Sequence, residues 1–184
     1  MSIAQFTVQP SASTALIGSL ILIATGIVVL SLAFFAGRRS KKIRATFVVM
    51  MIIGIATVGF GVWSFFDFNS PSTITIGTGY VSIQSSGFGG AGNLKVTSGE
   101  IVSAYVGQIG SGNLSLTKQQ GTNYDNVNIG VYTLGNGKTA NVVSENSTDL
   151  IIQLNNDKYV ILGTSNTNAL ASSFSQNVYP LKSP

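Results

Sequence analysis

Two long stretches without a single charge constrain this chain more than any other feature. Leu16 to Phe35 reads LIGSLILIATGIVVLSLAFF, and Ala45 to Phe66 reads ATFVVMMIIGIATVGFGVWSFF. Each holds about 20 residues, which is what an α-helix needs to cross a hydrocarbon layer roughly 30 Å thick. Transmembrane helices are therefore expected over 14–36 and 45–66. A cleaved signal peptide would place basic residues ahead of its apolar run, whereas Met1 to Ser13 carries no charge, so the first span is expected to be retained.

The connector 37–44 reads GRRSKKIR and contains Arg38, Arg39, Lys41, Lys42 and Arg44. Short loops rich in Arg and Lys stay on the cytoplasmic side, so these five residues are the expected topology determinants of a two-pass protein in the cell membrane. Residues 1–13 then form an outer tail, and everything after the second span lies outside, so both termini are extracytoplasmic. Trp63, Phe65 and Phe66 are the expected interfacial anchors at the outer end of that span. A linker over 67–73 follows, in which Pro71 stops any helix.

Neither span contains an ionisable residue, which argues against a proton relay or an ion path within the hairpin. Small residues spaced four apart, Ala15 with Ser19, Ala33 with Gly37, and Thr57 with Gly61, allow close helix approach. They could serve packing of the two spans on each other or docking into a larger membrane complex.

After Pro71 the pattern changes to short alternating segments separated by Gly, Asn and Ser clusters, the punctuation of β-sheet. Strands are expected at Thr73–Ile76, Tyr80–Gln84, Leu94–Thr97, Ile101–Gln108, Leu114–Gln120, Gly130–Leu134, Lys138–Val143, Leu150–Leu154 and Lys158–Leu162. Asn136-Gly137 is expected to supply two positive φ angles for a tight hairpin, and Asn155-Asn156-Asp157 to do the same over three residues. Ser165 can cap a helix from about Asn166 to Gln176, with Leu170, Phe174 and Val178 on one face.

Charge and chemistry narrow the function. The formal charge is +4, but half of the ten cations sit in the connector; elsewhere five lysines face six carboxylates. A nearly neutral domain lacks the positive face that nucleic acid needs. There is no cysteine and no histidine, which removes thiolate nucleophiles, disulfides, imidazole bases and the commonest zinc and copper sites. No catalytic residue, metal site or cofactor is expected. Gly87 to Gly92 matches G-x-G-x-x-G, but strand follows where the nucleotide fingerprint requires a helix. Glu145 and Asp149 are the closest carboxylates in sequence, and turn capping or solvation suits them better than acid–base work. Asp125 with Asn123, Asn126 and Asn128 is the one run worth watching for calcium. Asn113-Leu114-Ser115 and Asn146-Ser147-Thr148 are acceptor sequences for N-glycosylation at Asn113 and Asn146 in a host that glycosylates. A surface rich in Ser, Thr, Asn and Gln changes little as carboxylates protonate, so an acidic exterior is expected.

The stretch from Gly121-Thr122 through Asn128 to Ala140, then Leu150-Ile151-Ile152, Tyr159 to Leu162, and a helix bearing Leu170 and Phe174, resembles the bacterial pleckstrin-homology-like domain. The resemblance implies a bent barrel of about seven strands over 74–180, closed by a C-terminal helix, with no enzymatic activity. In that family's pattern Gly121-Thr122 marks a turn. Phosphoinositide-binding relatives use a basic loop where Ser85 to Lys95 offers one lysine, so the resemblance does not extend to inositide binding. The expected role is a non-enzymatic accessory or scaffold subunit in contact with membrane lipid and other membrane-protein subunits. A self-assembling envelope or virion membrane component, forming a homo-oligomer, and an extracellular ligand-binding or sensor module are the alternatives.

Overall fold

The computed structural model describes residues 2–9, 12–39, 44–68, 70–85, 92–110, 112–124 and 127–182. Two compact units emerge, one made of Met1–Pro10 with Ser70–Pro184 and the other of Ser11–Asn69.

The second unit is a pair of helices, α1 (Ala12–Arg39) and α2 (Arg44–Phe68). Gly26 meets Gly54 and Val58, Leu30 meets Gly54, and Ile23 meets Gly61, so residue numbers rise on one helix as they fall on the other and the pair is antiparallel. Lipid tails are as apolar as Leu, so such helices gain by close van der Waals packing, which small residues permit. Ser19, Ala33 and Ser64 are buried as well. Ser19, Ala33 and Gly61 are thus used inside the hairpin, while the side chain of Ala15 and the surroundings of Gly37 lie outside the described residues. The hydroxyls of Thr25, Ser31 and Thr57 donate to the carbonyls of Ile21, Ile27 and Ile53 at 2.8 Å, which satisfies them within their own helix.

The β unit contains two sheets. The smaller runs β1 (Ser2–Val8), β2 (Ser72–Gly77), β3 (Tyr80–Ser85) and β4 (Asn93–Thr97), antiparallel and in that spatial order. The larger contains β5 (Ile101–Gln108), β6 (Leu116–Tyr124), β7 (Val127–Leu134), β8 (Thr139–Ser144), β9 (Thr148–Leu154) and β10 (Tyr159–Leu162). Its order is β5-β9-β10-β8-β7-β6, antiparallel except where β8 and β10 run parallel. Helix α3 (Thr167–Asn177) completes the unit.

Strand β1 was expected only as a tail. Its residues alternate, with Ala4, Phe6 and Val8 turned towards the core and Ile3, Gln5 and Thr7 exposed. It pairs with β2 from Ser2↔Gly77 to Val8↔Ser72, so the residues just before α1 and just after α2 share one sheet.

The core lies between the sheets. Ile74, Ile76, Val81 and Ile83 of the smaller sheet join Ala104, Leu150, Ile152, Val160 and Leu162 of the larger, with Leu170 and Phe174 of α3. The larger sheet is buried on its other face too, where Tyr132, Val142, Ile151 and Ile161 pack with Tyr105, Leu114 and Leu116. Burial on both faces is why β10 reads as the unbroken apolar run Tyr-Val-Ile-Leu. The described strands form two sheets and close no barrel, and Gly121 and Thr122 sit inside β6 rather than at a turn.

The β7–β8 and β9–β10 hairpins occur where expected, but their turns differ from the expectation. Only Gly137 (φ 80°) and Asp157 (φ 65°) have positive φ. In each turn the leucine N–H donates to the carbonyl of the lysine four positions on, and the residue before that lysine donates back to the leucine carbonyl. These are three-residue loops with one left-handed position, built on Leu134-Gly135-Asn136-Gly137-Lys138 and Leu154-Asn155-Asn156-Asp157-Lys158. Asn136 and Asn156 each accept from the following lysine's N–H, and Lys138 Nζ meets Asp157 Oδ1 at 2.5 Å, joining the two tips. The parallel pairing of β8 with β10 is what brings both tips to one end.

Asn166, not Ser165, caps α3: its side chain accepts from the Ala169 N–H at 3.1 Å. Beyond the helix, the Tyr179 hydroxyl donates to the Val102 carbonyl at 3.0 Å and the Lys182 N–H to the Ala104 carbonyl at 2.8 Å. The C-terminal segment thereby covers β5, an edge strand of the larger sheet.

Candidate functional site

The helical pair offers one functional surface. Leu16–Phe35 and Thr46–Phe66 have mean hydropathies of 2.5 and 2.1 and are long and apolar enough to cross a membrane. Ile21, Phe35, Ile52 and Phe66 are each more than 60% exposed, as a lipid-facing surface requires. Arg38 and Arg39 are the last two residues of α1 and Arg44 is the first of α2; Lys41 and Lys42 lie outside the described residues. Trp63 and Phe66 are exposed and Phe65 is half-buried, all in the last turns of α2. Their rings pair: Phe60 with Trp63 at 5.5 Å between centroids, and Phe65 with Phe66 edge-on at 5.6 Å.

The two glycosylation candidates fall in different settings. Asn113 is exposed in a turn of 3-10 helix, Gly112–Leu114. Asn146 is half-buried, and its Nδ2, the atom a glycan would occupy, donates to the Thr164 carbonyl. The calcium run is described at Asn123 and Asn128, which bond each other at 2.8 Å, whereas Asp125 and Asn126 lie outside the described residues. Most of Gly87 to Gly92 lies outside them as well. Among the described residues no group of three or more acidic side chains comes together as a metal site.

Among the described residues the carboxylates do not converge either. Glu100 accepts from the N–H and hydroxyl of Thr97 at 2.8 and 2.7 Å, which holds it below the usual carboxylate range. Glu145 accepts from the Ser165 N–H, a partner 20 residues away in sequence rather than the amide of its own turn that was expected.

Asp149 breaks the expectation of a solvated turn residue. It lies inside β9, opposite Gly107 of β5, and is fully buried. Burial raises its carboxyl to about 6, against a lowering by the hydrogen bond from Ser144 Oγ at 2.7 Å. Its Oδ2 has no partner. Gly163 lies so close that a Cβ there would sit 1.6 Å from Asp149 Oδ1 and 2.8 Å from Ser144 Oγ.

Around this buried carboxyl the surface is polar. A cleft of about 360 Å³ is lined by Asn146, Ser147 and Thr148 on one side and by the start of α3 on the other. A second of about 340 Å³ shares Asn146 and Ser147 and adds Ile109, Leu116, Asn123 and Asn128. Sequence reasoning missed this grouping because Glu145-Asn146-Ser147-Thr148-Asp149 reads as plain loop; the run of apolar residues directly after Asp149 was the one hint. No family model, curated protein or solved structure matches this chain.

Proposed function

We propose that this chain is a two-pass membrane protein whose outer β unit acts as a non-enzymatic scaffold within a membrane complex. The observation that carries the reading is the pairing of β1 with β2. A strand that precedes the first apolar helix and a strand that follows the second can share a sheet only if the intervening chain returns to the side it left. An even number of crossings meets that condition. The cluster of cations between the helices then supports a cytoplasmic connector and an outer β unit. In that unit the described carboxylates are either hydrogen-bonded at the surface, as Glu100, Glu145 and Asp157 are, or buried, as Asp149 is, an arrangement suited to presenting surface rather than to turnover. The test is extraction in mild detergent at native expression: co-purification with a fixed set of membrane subunits supports the scaffold role, and a lone monomer overturns it.

One observation favours self-assembly as a second reading. The outer edge of β1 pairs with no described strand and carries neither charge nor proline, the usual guards against edge pairing. Cross-linking to a regular ladder of homo-oligomers, in place of a mixed complex, would select it. The pleckstrin-homology-like reading stands as a proposal on the residue pattern over 121–174 and the closing helix.

A further inference from the structure

We infer that Asp149 is a proton-operated latch: its uncharged carboxyl locks the turn over residues 144–149 onto the segment over residues 163–167, and losing the proton loosens both. Hydrogen-bond arithmetic at Ser144 carries the argument. The Ser144 Oγ lies 2.7 Å from Asp149 Oδ1, 2.9 Å from the Asn146 carbonyl oxygen and 3.3 Å from the Asn146 nitrogen. A serine hydroxyl has one proton to give. With Asp149 ionised that proton goes to the carboxylate, the Asn146 carbonyl loses its donor, and Oδ2 holds a share of charge with no partner. With Asp149 protonated, its O–H donates to Ser144, Ser144 donates to the Asn146 carbonyl, and the Asn146 N–H donates to Ser144. The oxygen left over is then a neutral carbonyl, which is far cheaper to bury.

The same carboxyl sits where two chain segments are knitted together. Gly163 N–H donates to Val143 at 2.9 Å, Glu145 N–H to Gly163 at 3.3 Å, and Thr164 N–H to Thr167 Oγ1 at 3.1 Å. The Asn146 side chain reaches the Thr164 carbonyl, and Glu145 accepts from Ser165. The tight fit of Gly163 against Oδ1 leaves no space at that point for a solvating water.

Among the described residues no cation pairs with Asp149, and Lys182, on the segment that covers β5, bonds through its backbone at Ala104 rather than at Gly107 opposite Asp149. The elements around Asp149, namely β5, β8, β9, β10 and α3, contain neither lysine nor arginine. Their titratable side chains are Tyr105 and Tyr159, and the one charged neighbour at the end of β8 is Glu145, itself an anion. The folded chain therefore keeps the Asp149 proton to higher pH than the unfolded chain, about 6 against 3.8. A group raised in this way contributes stability that is complete below the unfolded value and is lost as pH climbs through the folded one. Across that window the opening equilibrium shifts roughly a hundredfold.

The experiment is hydrogen–deuterium exchange of the full chain in detergent micelles between pH 4 and pH 7.5, corrected for intrinsic exchange. Peptides covering 144–149 and 163–168 should lose protection roughly a hundredfold with rising pH in the wild type. In Asp149→Asn, which keeps a donor for Ser144 and cannot ionise, protection should be flat. Wild-type protection that is constant or rises with pH overturns the latch, as does an Asp149→Asn profile that follows the wild type. Should that variant fail to fold, infrared titration of the wild type decides: a buried protonated carboxyl persisting to about pH 6 supports the latch, and full ionisation of every carboxyl by pH 5 refutes it.

Discussion

Gly26 and Gly54 face each other across the helical pair so closely that a Cβ on Gly26 would lie 3.0 Å from the Gly54 carbonyl oxygen, and one on Gly54 would lie 3.3 Å from the Gly26 carbonyl oxygen. At this crossing backbone meets backbone. A Cβ at Gly26 would also stand 2.9 Å from the Val58 nitrogen, and a backbone atom cannot step aside as the tip of a side chain can. Gly26→Leu should therefore separate the helices and cost about 1–3 kcal/mol of hairpin stability, the usual range for overpacking. Gly59→Leu, at a position with nothing within 4 Å, is the control and should change little. Unfolding in mixed micelles compares the two.

Gln5 and Thr75 are register partners across β1 and β2. The chain contains no cysteine, so a Gln5→Cys, Thr75→Cys double variant gives a clean background. Facing positions on antiparallel strands fall within disulfide reach. Mild oxidation of the full chain should cross-link the double variant in high yield, seen as faster migration without reductant, and should not cross-link Gln5→Cys with Thr97→Cys. Failure of the first pair to close in a folded sample would remove β1 from the sheet and with it the strongest support for the proposed topology.

Gly163→Ala places a methyl group against the Asp149 carboxyl and the Ser144 hydroxyl. Both are held by hydrogen bonds and packed on all sides, so the change should cost about 1–3 kcal/mol in denaturant unfolding of the β unit. Gly99→Ala, where nothing lies within 4 Å, should stay near the wild type.

In a host that glycosylates exported Asn-x-Ser/Thr sequences, Asn113 should be modified and Asn146 should not, because the Asn146 amide is committed to Thr164. Asn113→Gln should abolish the mobility shift on gels, while Asn146→Gln should leave it intact. A shift that survives Asn113→Gln and disappears with Asn146→Gln would mean that the segment around Thr164 opens before modification.

The elements governed by local rules were legible in the residues. Both apolar helices, the position of α3 and most strand cores of the β unit follow from periodicity, and the hairpins at Asn136 and Asn156 follow from turn chemistry. What escaped depends on distant partners. The alternation in Ser-Ile-Ala-Gln-Phe-Thr-Val is visible in β1, but its mate lies beyond both helices, so nothing nearby distinguishes a strand from a polar tail. The parallel contact of β8 with β10 joins two hairpins that are each locally complete, and only tertiary packing selects it. Asp149 looked solvated because four polar residues precede it; that β9 starts at Thr148 and carries the carboxyl inward is decided by β5 and Gly163. Asn166 displaced Ser165 as the helix cap by a shift of one residue, within the usual uncertainty of helix ends.

The pairing of the first strand with β2 also fixes an order of events during synthesis. The ribosome makes β1 before either apolar helix, yet the strand that pairs with it emerges only after both helices have been made. Until then the backbone amides of β1 that β2 will satisfy lack their sheet partner. If synthesis stalls between the two, the nascent chain displays an unsatisfied strand to its surroundings, so the interval before Ser72 to Gly77 appears is when chaperoning matters most for this protein.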